Sequence, residues 1–252
     1  MPGTIGLIAA IPQELHHLRA VLAHDRVSES CGFRFDHGTL DGRDVVVAEA
    51  GIGKVNTAIV ATLLATRFEA GVLVFSGVAG GLDPELAIGD LVIAERELQH
   101  DAGTLENERI KTYQAGHIPF FNPTERLGWD IDPGLLDRVR ARLEGIELPA
   151  LSAEAGGEGR PPRIVLGPIL TGDQFLNCEA TRKRLFREFD GRAVAMEGAA
   201  MAQVAARMGI PWLEIRALSD LAGHASTFDF KAFVDQVAEN SFLVLRRLLP
   251  VL

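Results

Sequence analysis

The chain has 252 residues, 47% of them hydrophobic, and a formal net charge of −9. That length suits one large domain or two small ones with a substantial core, and the acidic balance argues against nonspecific nucleic-acid or membrane binding. Cys31 and Cys178 form no CxxC and no Cys/His cluster, no apolar stretch reaches the ~18 residues of a membrane span, and the first residues are not signal-peptide-like, so a reducing, cytoplasmic location is expected.

In chain order, the apolar, β-branched run at 5–10 predicts a buried strand. Pro12 is placed for a first helical turn, and 13–23 predicts a helix with Glu14 near its start. Strands are expected at 34–39 and 44–49, joined through Leu40-Asp41-Gly42-Arg43, where Asp-Gly signals a hairpin. Ala50-Gly51-Ile52-Gly53-Lys54 is glycine-rich ahead of a helix at 55–67. It lacks the GxxxxGKS/T spacing of a phosphate loop and reads as a turn and helix start. A strand at 72–76 runs into Gly77-Val78-Ala79-Gly80-Gly81, a turn where backbone can approach a ligand closely, or a plain loop. A further strand is expected at 91–94.

From His100 to Asp132 the apolar periodicity lapses. Long irregular stretches are usually functional or disordered, and Tyr113, Ile118, Pro119, Phe120 and Phe121 favour a ligand wall or a subunit contact. A helix at 133–143, a Gly/Pro-rich surface loop at 152–162 and a strand at 164–171 follow. The last leads into Gly172-Asp173-Gln174-Phe175-Leu176-Asn177. A short buried strand at 193–196 meets Glu197 and a small-residue helix at 198–208. An apolar strand from Trp212 ends in Ser219-Asp220. Residues 230–249 predict a long amphipathic helix with Arg246 and Arg247 complementing its dipole. The alternation gives the α/β class: a single domain over 1–252 with a mixed central β-sheet flanked on both faces by helices.

Acids at strand-to-helix junctions lie where open α/β sheets bind ligands. Glu197 and Asp220 are therefore site candidates. Both positions equally suit helix N-caps, and Glu14 taken alone reads first as a first-turn helix acid. His16, His17, His24 and His37 read as surface positions, His100 with Asp101 as a core hydrogen-bonding pair, and His224 as a residue of the site entrance. None forms a metal-ligand cluster, and no metal is expected.

Taken in order, Glu14, Gly77-Val-Ala-Gly-Gly81, Gly172-Asp-Gln-Phe-Leu176, Met196-Glu197 and Ser219-Asp220 resemble the nucleoside phosphorylase superfamily over nearly the whole chain. Within it, the set is most similar to the 5′-methylthioadenosine/S-adenosylhomocysteine nucleosidases. The resemblance implies that fold and cofactor-free hydrolysis of an adenine thionucleoside. It implies that Glu197 accepts hydrogen bonds from both ribose hydroxyls, as a carboxylate can, and that Met196 packs under the ribose. Phe175 would stack on the purine and the Leu176 backbone would read the adenine edge. Asp220 would protonate purine N7, supported by Ser219 and Arg216, and Glu14 would activate water. Val78, Ala79 and Gly80 would line the substrate, with Val78 standing where many relatives carry a hydroxyl residue. The 5′ group would enter an apolar pocket completed by the other subunit of a homodimer, with Ile118 and Pro119 as the contributing residues. Ser76-Gly-Val-Ala-Gly80 with Gly172-Asp-Gln-Phe175 is also similar to a subset that acts on 6-amino-6-deoxyfutalosine in menaquinone synthesis.

The chemistry accounts for two acids. Cleavage leaves positive charge on the sugar and negative charge on the purine. Protonating N7 makes adenine a better leaving group, and general-acid help of this kind contributes ~10²–10⁴-fold. Water attack calls for a second carboxylate as base, so two acids must hold opposite proton states. The loop Ala9-Ala-Ile-Pro-Gln-Glu14 carries no Lys or Arg, and a carboxylate there repels phosphate, which favours water as the nucleophile. The alternatives are a purine nucleoside or methylthioadenosine phosphorylase and a non-catalytic nucleoside-binding protein on the same fold.

Overall fold

The computed structural model describes residues 3–252 apart from 154, 156, 158 and 224–229. His224 and parts of the expected loop at 152–162 thus lie outside the described residues. The strands are β1 Thr4–Ala9, β2 Ala23–Ser30, β3 Phe33–Leu40, β4 Arg43–Glu49, β5 Ala70–Gly81, β6 Leu91–Gln99, β7 Gly103–Glu106, β8 Arg109–Thr112, β9 Trp129–Asp130, β10 Ile164–Thr171, β11 Ala193–Ala195 and β12 Trp212–Asp220. The helices are α1 His16–Val21, α2 Lys54–Thr66, α3 Pro133–Leu143, α4 Glu179–Phe189, α5 Gly198–Met208 and α6 Phe230–Leu248.

Strand β1 lies between β4 and β5, parallel to both. Five of its six residues are buried, the near-continuous apolar run of a strand covered on both faces. The sheet runs β11-β10-β6-β12-β5-β1-β4-β3-β2, and β2, β3 and β4 form its antiparallel end. Strand β11 also pairs antiparallel with β5, placing Val194 opposite Gly80. Strands β5, β12, β6, β10 and β11 therefore close into a ring. Asp220 at the end of β12 is also opposite Gly80, so the ring gathers the ends of β5, β11 and β12. Helices α2 and α5 pack on each other, and α6 packs on β12 and β5. All nine residues of β12 are buried, Glu214 and Arg216 included.

The α/β class, the mixed sheet and most elements follow the sequence. The departures have local causes. The helix expected at 13–23 is a 3-10 turn at Pro12–Leu15 followed by α1, which stops at Val21. Ala23 instead opens β2, an edge strand exposed almost throughout, so no alternation of apolar residues marks it. Gly77 to Gly81 do not leave the sheet as a turn; they continue β5, because the small residues among them admit neighbouring groups. The irregular stretch 100–132 contains the β7–β8 hairpin and β9. Helix α4 has little apolar patterning to announce it, since Leu185 is its one buried side chain and its other face is charged. His37 is not a surface residue: it is buried and shares a hydrogen bond with the Ser28 hydroxyl at 2.7 Å.

Candidate active site

A cavity of about 200 Å³ opens where β5, β11 and β12 end beside the loop after β1. Glu14, Val78, Ala79, Gly80, Phe175, Leu176, Met196, Glu197, Arg216, Ser219 and Asp220 all line it. Ile118 and Pro119 do not; Ile118 is exposed in the segment after β8.

Glu14 sits in the 3-10 turn that Pro12 starts. Its Oε2 accepts from Ala10 N at 2.8 Å and Ile11 N at 3.1 Å, the work of a first-turn acid. Its Oε1 also accepts from the Val78 N–H on β5 at 2.9 Å, so one carboxylate joins the first turn to β5. Burial pushes the Glu14 carboxyl above the ordinary glutamate range, against the pull of Arg216 and the three backbone N–H donors. A Cβ on Gly77 would lie 2.6 Å from Glu14 Oε1 and 2.8 Å from Arg216 Nη1, so the glycine admits both side chains. Val78 contributes through its backbone: its N–H holds Glu14 and its C=O accepts from Arg216 Nη1 at 3.0 Å. A hydroxyl side chain is not needed for either contact.

Glu197 occupies the N-cap position of α5, yet its side chain caps nothing. Its carboxylate instead accepts from Gly53 N at 3.1 Å on one oxygen, and from Met196 N and Arg216 Nη2, both at 3.1 Å, on the other. The helix-cap alternative is thereby excluded for this residue. The glycine-rich segment before α2 holds an acid through the Gly53 N–H. Gly53 takes φ 100° there, which favours glycine, and the Lys54 ammonium is bound by Asp101 at 2.7 Å. That ion pair also replaces the His100–Asp101 hydrogen bond expected from the sequence; His100 Nε2 is buried without a partner among the described residues.

Asp220 ends β12. Its Oδ2 accepts from the Ser219 hydroxyl at 2.9 Å and its Oδ1 from Ala222 N at 2.7 Å. Ser219 thus contacts Asp220, whereas Arg216 does not. Arg216 is bound by Glu197, Glu214 and the Val78 carbonyl, and lies over the Phe75 ring at 4.2 Å from its centroid. Burial works against its charge, but Glu214, Glu197 and Glu14 outweigh that and hold it firmly cationic. The reason is geometric: residues two apart on a strand share a face, so Arg216 shares one with Glu214, whereas Asp220 lies beyond a register shift after Leu218.

Phe175 lines the cavity and is 68% exposed. The Leu176 backbone has no hydrogen-bond partner among the described residues. Sequence reasoning missed the roles of Gly53 and the buried Glu214. The signal for Glu214 was present: charges at 214 and 216 inside the otherwise apolar Trp212-Leu-Glu-Ile-Arg-Ala-Leu218.

Comparison with known proteins agrees with this geometry. Residues 4–250 match the model of the phosphorylase superfamily. The 5′-methylthioadenosine/S-adenosylhomocysteine nucleosidase of Mycobacterium tuberculosis is 59% identical over 252 residues, covering 100% of this chain and 99% of that protein. The nucleosidase of the same name from Colwellia psychrerythraea, solved in complex with adenine, matches with a TM-score of 0.83 at 30% identity, covering 100% of this chain and 96% of that one. The futalosine hydrolase of Helicobacter pylori matches with a TM-score of 0.80 at 26% identity, covering 100% and 99%. The chain belongs to the phosphorylase superfamily and, within it, to the 5′-methylthioadenosine/S-adenosylhomocysteine nucleosidases, hydrolases of an N-glycosidic bond.

Proposed function

We propose that this cavity splits adenine from the ribose of 5′-methylthioadenosine and S-adenosylhomocysteine, with Asp220 as the acid at N7 and Glu14 as the base that activates water. The observation that carries this reading is the convergence of Glu14, Glu197 and Asp220 on one cavity. Ser219 and the Ala222 N–H hold Asp220 by one oxygen each. Its proton goes to the purine as the glycosidic bond breaks, and the electron pair leaves with adenine. Glu14 takes the proton of the attacking water as the new bond to the sugar forms. Glu197 accepts from the two ribose hydroxyls, Met196 packs beneath the ring, Phe175 stacks on the base, and the Leu176 backbone pairs with the adenine edge. Val78, Ala79 and Gly80 form the wall behind the nucleoside.

Water is favoured over phosphate by charge. Arg216 is the one cation lining the cavity among the described residues, and Glu197 and Glu214 already engage it. Purified protein should therefore release adenine from methylthioadenosine undiminished in phosphate-free buffer. Strict dependence on added phosphate would identify a phosphorylase instead. Asp220→Asn should lower turnover by ~10²–10⁴-fold, the contribution of a general acid, with ligand affinity largely kept; near-normal rates would remove Asp220 from the mechanism.

The chain acts as one domain and as a homodimer in the cytoplasm, where its two free cysteines stay reduced. Exposed Ile52, Val55, Ile118, Phe120 and Phe121 supply apolar surface for the second subunit, and Ile118 and Pro119 reach that subunit's 5′ pocket. Sedimentation of Phe120→Asp protein should show monomers. The likeness to futalosine hydrolase brings 6-amino-6-deoxyfutalosine into the substrate panel.

A further inference from the structure

Beneath the cavity lie two carboxyl groups that the reaction scheme leaves without a part. Glu97 on β6 and Glu214 on β12 are both 0% exposed. Glu97 Oε2 accepts from the Thr171 hydroxyl at 3.1 Å, and Thr171 Oγ in turn accepts from Ala199 N, in the first turn of α5, at 2.9 Å. Glu214 Oε1 accepts from Arg216 Nε. The other two oxygens, Glu97 Oε1 and Glu214 Oε2, find no donor among the described residues. The two acids stand on paired neighbouring strands, β6 and β12, and burial together with the Glu214 charge raises the Glu97 carboxyl. Ionised carboxylates are acceptors only, so these two oxygens can satisfy each other only with a proton on one of them. A Cβ on Gly198 would overlap the Glu214 carboxyl. The glycine that follows Glu197 is thus the space that brings this acid under the start of α5.

We propose that Glu97 and Glu214 hold one proton between them, Glu97 as the neutral donor and Glu214 as the carboxylate, and that this pair positions Arg216 and, through it, Glu197. The positioning half rests on the reading of Glu197 as the ribose-binding acid; the shared proton does not. Burial and the Glu214 charge push the Glu97 carboxyl well above the ordinary range. Glu214 is the anionic member because Arg216 donates to it and the N-terminal end of α5 lies against it. The charged groups facing the pair are few. Arg216 is shared with Glu197 and lies near Glu14. Full ionisation would set four carboxylates on one guanidinium. A neutral Glu97 lets the pair grip Arg216 without adding a further charge that opposes the ionisation of Glu14 as base.

Infrared difference spectroscopy of the whole protein at neutral pH reads the proton directly. The wild type should carry a protonated-carboxyl C=O band that shifts in D₂O and is missing from Glu97→Gln. The amide that Glu97→Gln introduces keeps a donor for the carboxylate at 214 and an acceptor for Thr171. The kcat/KM of this variant on methylthioadenosine should stay within about twofold of wild type, as for a change that breaks no interaction. Glu97→Ala removes the donor and should raise KM by about tenfold or more, the scale of a lost hydrogen bond to a charged group, with kcat less affected. A wild-type spectrum without a band that Glu97→Gln removes overturns the proposal. So does a Glu97→Gln protein that fails to fold or that loses as much as Glu97→Ala. Should Glu97→Ala itself not fold, the spectra and the Glu97→Gln kinetics still decide. Glu197→Ala separates the two readings: an unchanged KM there removes the ribose role and leaves the shared proton standing.

Discussion

Asp90 and Glu14 are both buried carboxyl groups, 0% and 7% exposed, but different partners hold them. Asp90 accepts from Arg160 through both oxygens at 2.8 and 2.9 Å, from Arg163, and from the Ala87 and Arg163 N–H groups. Burial opposes its charge, but the Arg160 guanidinium and the Ala87 and Arg163 N–H donors hold the carboxyl below the usual aspartate range. Glu14 has three backbone donors and one guanidinium, Arg216, which Glu197 and Glu214 bind more directly. Burial therefore wins, and its carboxyl is pushed up. The difference teaches that unshared counter-charge decides what a buried acid does. Asp90 is a permanent ion that ties 160–163 to the start of β6. Glu14 is poised to take up a proton.

The largest expected effect comes from Glu14→Gln, which should cut kcat/KM for methylthioadenosine by ~10²–10⁴-fold while leaving nucleoside binding measurable. Asp90→Ala should do the reverse. Turnover per folded molecule should stay the same, and chemical denaturation should show a loss of about 1–3 kcal/mol. The full ~3–5 kcal/mol of a broken buried pair is not expected, because Arg160 and Arg163 are 36% and 48% exposed and can rehydrate.

The two acids should also bend the stability–pH curve in opposite directions. Asp90 has a depressed value, so its contribution is complete above the unfolded aspartate value of ~3.9 and is lost as pH falls through the folded one. Glu14 has a raised value, so its ionisation costs stability as pH rises from the unfolded ~4.3 through the folded one. Denaturation midpoints of Asp90→Asn and Glu14→Gln across that range should flatten these two slopes, one each. The smallest effect is that of Phe175→Ala. Loss of an aromatic contact of ~0.5–1.5 kcal/mol should raise KM several-fold with kcat nearly kept.

The same contrast explains what could be read from the sequence. Glu14, Glu197 and Asp220 were legible because each stands at an element's end, where an acid interrupts an apolar pattern. Their surroundings were not. That Glu197 caps no helix and that Arg216 turns from Asp220 toward Glu197 and Glu214 depends on β11 crossing to β5 and closing the ring. That pairing joins residues more than a hundred positions apart, and no local periodicity encodes it. Strand β5 past Ser76 was misread because glycines signal turns, whereas here Gly77 and Gly80 make room for Glu14, Arg216 and Asp220. Strand β2 was hidden because an exposed edge has no buried face to pattern.

The pH dependence of kcat/KM for methylthioadenosine, measured on the wild type and on the residual activity of Glu14→Gln, tests the pairing of proton states most directly. The wild-type rate should fall on the acid side through a value above the ordinary glutamate range, as Glu14 gains the proton that disables it as a base. That limb should be absent from Glu14→Gln. A Glu14→Gln enzyme with near-normal rates and the same acid limb would contradict the assignment of Glu14 as the group that activates water.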